Sequence, residues 1–284
     1  MRKRYILNSP GLLELKKRRR RIFLYKIFIS LFLIAVILGS IVFISRDSNL
    51  NINKIEINGN KAIETKLIKE IVDKELAGNY FWFFPKTNFL FYPQNIIKTN
   101  LENSFKRIKD ISVGVKNIKT LEISLTEREA LYTWCGNVKE DLISSDKKCY
   151  FVDESGYIFD EAPYFSGEVY FKFYGPVDNE NYFSKENFKQ LVDFKDVLVT
   201  MGFKPISLYI LNNGDVKIFL SVKNKTSKEP YLIFKIDSDF KNVAENLESA
   251  ISTEPLLSNL KNKYTLLQYI DLRFGNKVYY KFTR

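Results

Sequence analysis

IFLYKIFISLFLIAVILGSIVFI, residues 22–44, decides how the rest of the chain is read. It holds one charge, Lys26, near its start, and residues 27–45 contain no ionisable group. At about 1.5 Å of rise per residue, that stretch covers the roughly 30 Å hydrocarbon core of a bilayer. A helix can cross there because it satisfies its own backbone N–H and C=O groups where no water is available. A cleaved signal peptide has a shorter apolar region ending at a small-x-small site, whereas Gly39-Ser40-Ile41 falls in the middle of this run. Residues 22–45 therefore read as an uncleaved transmembrane anchor.

Directly before the anchor stand Lys16, Lys17, Arg18, Arg19, Arg20 and Arg21. The positive-inside rule places this basic tail, residues 1–21, in the cytoplasm and everything from about residue 46 outside. Of the total charge of +11, +9 lies at or before Lys26, which leaves +2 for the remainder. The basic cluster is thus a topology signal that also attracts anionic lipid headgroups. The nearly neutral exported part offers nucleic acid no basic surface.

The chain has no histidine, which excludes imidazole metal ligands, Ser-His triads and imidazole acid-base chemistry. Its two cysteines, Cys135 and Cys149, both lie on the outer side, where disulfides persist. A pair so spaced either staples a hairpin or stays as two half-buried thiols; both readings stand.

The exported part opens with a strand at NINKIEINGN (residues 51–60), with Ile55 and Ile57 on one face and Asn58-Gly59-Asn60 as the turn. Ile63, Leu67, Ile68, Ile71, Val72 and Leu76 then fall at helical spacing, with Gly78 as terminator. A second helix begins at Pro93 and carries Ile97, Leu101 and Phe105 on one side. Ile111, Val113 and Val115 alternate, as do Leu121, Ile123 and Leu125, giving two more strands. The order βααββ over residues 50–128 predicts an antiparallel sheet with one face covered by both helices. Between the helices, residues 80–92 (YFWFFPKTNFLFY) are aromatic at eight of thirteen positions. They either plug into the sheet or dip into the membrane interface, where aromatic residues are enriched.

Residues 129–284 change to a strand-rich texture. Strands are expected at 131–135, 149–153, 157–159, 169–173, 206–211, 216–222 and 231–236, with helices at 185–201 and 240–254. Asn213-Gly214 suits a two-residue type I′ hairpin turn. The chain closes with YIDLRFGNKVYYKF (residues 269–282), two strands around Gly275-Asn276. Only Thr283 and Arg284 follow, so the last strand is expected to lie uncovered by any tail. The fold class is α+β: one transmembrane helix, a βααββ domain, then a mainly antiparallel β-domain with two or more helices.

No nucleophile elbow, phosphate loop, dinucleotide fingerprint or metal-ligand spacing is present, and no cofactor or small-molecule substrate is expected. Asp153/Glu154 and Asp160/Glu161 are the only paired carboxylates with a bearing on glycan hydrolysis. The first pair flanks a Ser155-Gly156 turn and reads as solvated turn residues. Asn224-Lys225-Thr226 matches a glycosylation triplet, a pattern common by chance. The residues point to binding and not to catalysis.

Taken in order, these pieces resemble the FtsQ/DivIB cell-division proteins over essentially the whole chain. IEINGN at 55–60, Gly78-Asn79 with Phe81, ISVGV at 111–115 and TLEISLTER at 120–128 are similar to a POTRA domain. Glu127-Arg128 resembles the family's step into its second domain, although Ala130 stands where a proline is usual. Trp134 sits where the family often has an aromatic residue. YFVDESGYIFDEAP at 150–163 resembles its Val-Asp, Gly, aliphatic-Phe signature, and DLRF at 271–274 its closing Asp-Leu-Arg-Tyr motif, with Phe274 keeping the ring and losing the hydroxyl. The resemblance implies a non-enzymatic septal scaffold that recruits FtsB/DivIC-like and FtsL-like partners through the end of the β-domain. An open last strand is suited to that role, because its unpaired N–H and C=O groups can accept a further strand. Arg273, Phe274, Val278, Tyr279, Tyr280, Lys281 and Phe282 are the candidate partner-binding residues. Val278, Tyr280 and Phe282 share one face and Tyr279 and Lys281 the other, with the outward face left open. A POTRA-bearing export or assembly factor is the alternative.

Overall fold

The computed structural model describes residues 10–137, 148–222 and 229–283, with side chains from Glu14 onward. The Asn224-Lys225-Thr226 triplet lies outside the described residues. The chain divides into two compact units, Met1–Glu127 and Arg128–Arg284.

In the first unit, helix α1 (Pro10–Ser45) begins before the basic cluster and runs through the apolar stretch without a break. Glu14–Ser45 is long and apolar enough to cross a membrane, and its large apolar side chains are exposed within the chain. Such a surface is stable only where something apolar surrounds it. After a 3₁₀ turn (Ser48–Leu50) come β1 (Lys54–Asn58), α2 (Thr65–Leu76), the short hairpin β2 (Asn79–Tyr80) and β3 (Phe84–Pro85), α3 (Gln94–Ser104), β4 (Ile108–Asn117) and β5 (Thr120–Glu127).

The sheet order is β1-β5-β4. β4 and β5 pair antiparallel, but β1 runs parallel to β5, which corrects the all-antiparallel expectation. The long connection through two helices returns the chain to the far side of the sheet, as a parallel neighbour requires. Ile68, Val72 and Leu76 recur one helical turn apart on α2 and are buried; Ile97 and Leu101 do the same on α3. They meet Ile111 and Val113 of β4 and Leu121, Ile123 and Leu125 of β5 in one core. Burying each such side chain contributes about 1.5–3 kcal/mol.

Glu127, the last residue of β5, closes this unit. Its carboxylate accepts the N–H groups of Lys61 (2.6 Å), Ala62 (2.9 Å) and Ile63 (3.0 Å) in the loop that leads into α2. Burial works to raise the carboxyl's pKa, but these three donors and the charge of Arg107 outweigh it and hold it below the ordinary range. A carboxyl depressed in the folded state contributes stability that is fully present above its unfolded value of about 4.3 and is lost as pH falls through the folded value. Thermal melts between neutral pH and pH 3 should therefore show Glu127→Gln starting lower at neutral pH and losing less on acidification than the parent chain. Parallel acid limbs in the two proteins would contradict this assignment.

The second unit contains β6 (Tyr132–Trp134), β7 (Cys149–Val152), β8 (Ile158–Ala162), β9 (Lys172–Tyr174), α4 (Phe188–Thr200), β10 (Pro205–Ile210), β11 (Asp215–Leu220), β12 (Tyr231–Lys235), α5 (Phe240–Ile251), α6 (Leu256–Lys263), β13 (Leu267–Phe274) and β14 (Lys277–Phe282). They form one nine-stranded sheet in the order β14-β13-β12-β11-β10-β9-β6-β7-β8. The sheet is mostly antiparallel; β6–β9, β9–β10 and β12–β13 are its parallel pairs. Phe188, Leu191, Phe194 and Leu198 of α4 and Phe240, Val243 and Leu247 of α5 bury against Phe173, Leu208, Ile218, Phe234 and Ile270 on one sheet face.

Several local expectations need correction. α4 starts at Phe188, three residues later than the pattern indicates. β9 holds only Lys172–Tyr174, because Val169 is exposed. At the β10–β11 turn only Gly214 has positive φ (79°), and Leu211 N–H donates to Asp215 O. The loop is therefore longer than a two-residue type I′ turn, in which both central residues would need positive φ.

Candidate functional site

β14 is an edge strand, hydrogen-bonded on one side to β13 and on the other to no strand among the described residues. Phe274 pairs with Lys277 across the Gly275-Asn276 turn. Thr283 N–H donates to Leu266 O, which fixes the phase of the strand. N–H groups alternate sides along an antiparallel strand, so those of Tyr279, Lys281 and Thr283 point to β13, and those of Val278, Tyr280 and Phe282 point to the open side.

The side chains are now placed as well. Val278, Tyr280 and Phe282 pack on the large core, and Tyr280 meets Phe282 edge-on at 5.9 Å. Tyr279 and Lys281 face outward, and Phe274 stands T-shaped to Tyr279 at 5.2 Å. On the sheet face away from the helices, a row of rings runs across the strands from Tyr174 through Tyr209, Phe219 and Tyr231 to Tyr269. Tyr269 is the register partner of Lys281.

Arg273 is engaged inside the domain. Its Nε and Nη2 bind the two oxygens of Asp271 at 2.9 and 2.7 Å, and its Nη1 binds Asp215 Oδ2 at 2.8 Å. Lys235 reaches Asp215 Oδ1 at 2.8 Å. Burial raises the Asp215 carboxyl, but the hydrogen bond from Lys235 and the charges of Arg273 and Lys235 outweigh it and leave it depressed. Arg273 thus ties the penultimate strand to β11 and β12. The part played by Asp215 and Lys235 was not legible in the sequence, because both lie far along the chain from Arg273.

The opposite edge differs. Ile158 N–H of β8 donates to Asn181 O, and Tyr157 bridges Tyr182, so a loop covers the start of that strand. β8 also carries Asp160 and Glu161, and charge on an edge opposes strand addition. In the first unit, Gln94 Nε2 donates to Val113 O of the edge strand β4.

The remaining candidates are structural. Asp153 is buried and not solvated, which corrects the earlier reading. Its Oδ1 accepts from Ser155 N (2.8 Å), Ser155 Oγ (2.6 Å) and Tyr157 N (3.1 Å), and its Oδ2 accepts from Arg128, whose guanidinium lies 3.9 Å from the centre of the Tyr157 ring. Gly156 (φ +85°) presses on the Phe188 ring, where a Cβ would come within 2.8 Å of Cγ. Cys135 and Cys149 are joined by a disulfide beside the β6–β7 pair, with Cα atoms 4.2 Å apart. Lys16, Lys17 and Arg18 to Arg21 are exposed along the first turns of α1. No group of three or more His, Cys, Asp or Glu arranged to hold a metal occurs among the described residues.

Residues 50–128 match the family model of the POTRA domain, FtsQ-type. No curated protein matches the sequence. An N-terminal helix apolar enough to span a membrane, followed by a POTRA domain of the FtsQ type, makes this chain one that fits the FtsQ/DivIB family.

Proposed function

We propose that the chain is a single-pass scaffold of the bacterial division complex that holds partners and catalyses nothing. Its FtsQ-type POTRA domain supports a cell-division protein of the FtsQ kind. On this reading residues 1–21 lie in the cytoplasm, where the basic cluster favours anionic lipid, and residues 46–284 lie outside at the septum. Residues 129–284 form the FtsQ/DivIB-type domain and capture an FtsB/DivIC-like partner, and with it an FtsL-like one.

The observation that carries the proposal is the row of N–H groups on Val278, Tyr280 and Phe282, which no strand among the described residues pairs. An extended partner segment gains ladder hydrogen bonds there without any rearrangement of the sheet, while exposed Phe274 and Tyr279 supply aromatic contact area. Arg273 serves by holding β13 and hence the hairpin. A fluorescent fusion of the full chain should concentrate at the division septum; uniform envelope staining would favour an export or assembly role.

A further inference from the structure

The aromatic stretch at residues 80–92 divides into two sets. Phe89 and Tyr92 pack on the POTRA core, and Phe84 meets Phe91 edge-on at 5.7 Å. Phe81 and Trp82 turn the other way and are 86% and 87% exposed, with Phe83 and Leu90 also exposed. Two adjacent aromatic residues of this size would ordinarily be drawn into a core. Here both adopt left-handed backbone conformations, φ 46° at Phe81 and 66° at Trp82, which bulky residues rarely take. Phe83 N–H donates to Tyr80 O at 3.0 Å, so the two residues form the left-handed centre of a tight turn, where Asn and Gly are usual, and strain held there by two aromatic residues points to a functional constraint.

The loop is bonded to one particular place. Arg46, the first charged residue after the apolar run, donates from Nε to Phe83 O and from Nη2 to Trp82 O, each at 3.3 Å. Asn88 Nδ2 donates to Ser45 O at 3.0 Å, and Ser45 is the last residue of α1. Ser45 and Arg46 are where an uncharged span beginning at residue 27 would leave the hydrocarbon. The carbonyls of Trp82 and Phe83 are thus held against the residue that follows the span, and Phe43 and Ile44 on the last turn of α1 are exposed as well.

We infer that Phe81, Trp82 and Phe83 form a second membrane contact, inserted into the outer interface of the bilayer beside α1. The occupant is lipid, because hydrogen bonds tie the loop to the residues that end the span. Trp is suited to that depth, with an apolar body for the acyl boundary and an indole N–H for the headgroups. Arg46, and Lys86 at 5.8 Å from the centre of the Tyr80 ring, place cations at phosphate level. The contact would hold the POTRA domain to the bilayer at two points. This inference rests on α1 spanning the membrane, as in the proposed function.

The test uses the full chain and its Trp82→Phe variant in phosphatidylcholine and phosphatidylglycerol vesicles, with lipids brominated near the headgroup or deep in the acyl chain. The other tryptophan, Trp134, donates its indole N–H to Gly175 O and contributes equally to both proteins. The difference emission belongs to Trp82, and it should be lost with shallow bromines, less so with deep ones, and be shielded from aqueous acrylamide. Difference emission open to acrylamide and untouched by either bromolipid would overturn the inference, as would emission shielded from both, which would mean a protein cover. Alkaline extraction of the same vesicles reports on α1 alone. A chain that resists extraction while Trp82 stays in water refutes the second contact and leaves the anchor standing, whereas a chain that washes off overturns both.

Discussion

Val278→Pro is expected to weaken capture of an FtsB/DivIC-like partner by roughly two orders of magnitude while the domain stays folded. The Val278 N–H faces the open side of β14, so a proline there takes nothing from the β13 ladder, the position on an edge strand where proline is tolerated. For an incoming strand the same change removes a donor and puts the ring in the path of the new backbone. A lost ladder bond of about 0.5–1.5 kcal/mol and a steric clash of similar size together correspond to a decrease of roughly two orders of magnitude in affinity. Co-purification from membranes with the partner co-expressed measures the loss, and circular dichroism of residues 46–284 checks the fold. Lys281→Glu serves as the comparison. Its side chain faces outward and its N–H belongs to β13, so it should change the salt dependence of binding more than its extent.

Asp153→Ala is expected to destabilise the second unit by ~3–5 kcal/mol, because it leaves the largely buried guanidinium of Arg128 without its carboxylate. It also removes the acceptor that organises Ser155 and Tyr157 at the Gly156 turn. Against a total stability of about 5–15 kcal/mol, such a loss is severe. Asp153→Asn should cost less, since an amide oxygen can still accept the turn N–H groups. Glu161→Ala removes only an exposed pair with Lys148 and should change stability by about 0–1 kcal/mol. Urea denaturation of residues 46–284 separates these cases. Equal effects of Asp153→Ala and Glu161→Ala would show that Asp153 is not the staple of this turn.

What could be read from the sequence was whatever a short local pattern determines. The helical spacing of Ile68, Val72 and Leu76 and the alternation through β4 and β5 each state their own burial, and the uncharged run at 27–45 states its own length. Helix α6 left no such pattern, because Leu256 is its one buried residue. The parallel pairing of β1 with β5 depends on how a long connection returns, and nothing in Ile55 or Ile57 records that. Asp153 beside Glu154 looked like a solvated pair because its cation, Arg128, lies 25 residues earlier. For β14, alternation sorted the side chains into two sets, but which set is buried depends on the sheet face to which α5 packs. Arg273 is a candidate partner-binding residue from its place in the closing motif, and its bond to Asp215 depends on a strand that the motif does not record.

On the proposed reading, the edge of β14 pairs with a partner strand through its backbone. Amide hydrogen exchange, resolved by residue with and without the FtsB/DivIC-like partner, tests it most directly. New protection is expected at Val278, Tyr280 and Phe282, with little change at Tyr279 and Lys281, which β13 already holds. Partner binding that leaves those three amides exchanging as in the free chain would contradict it.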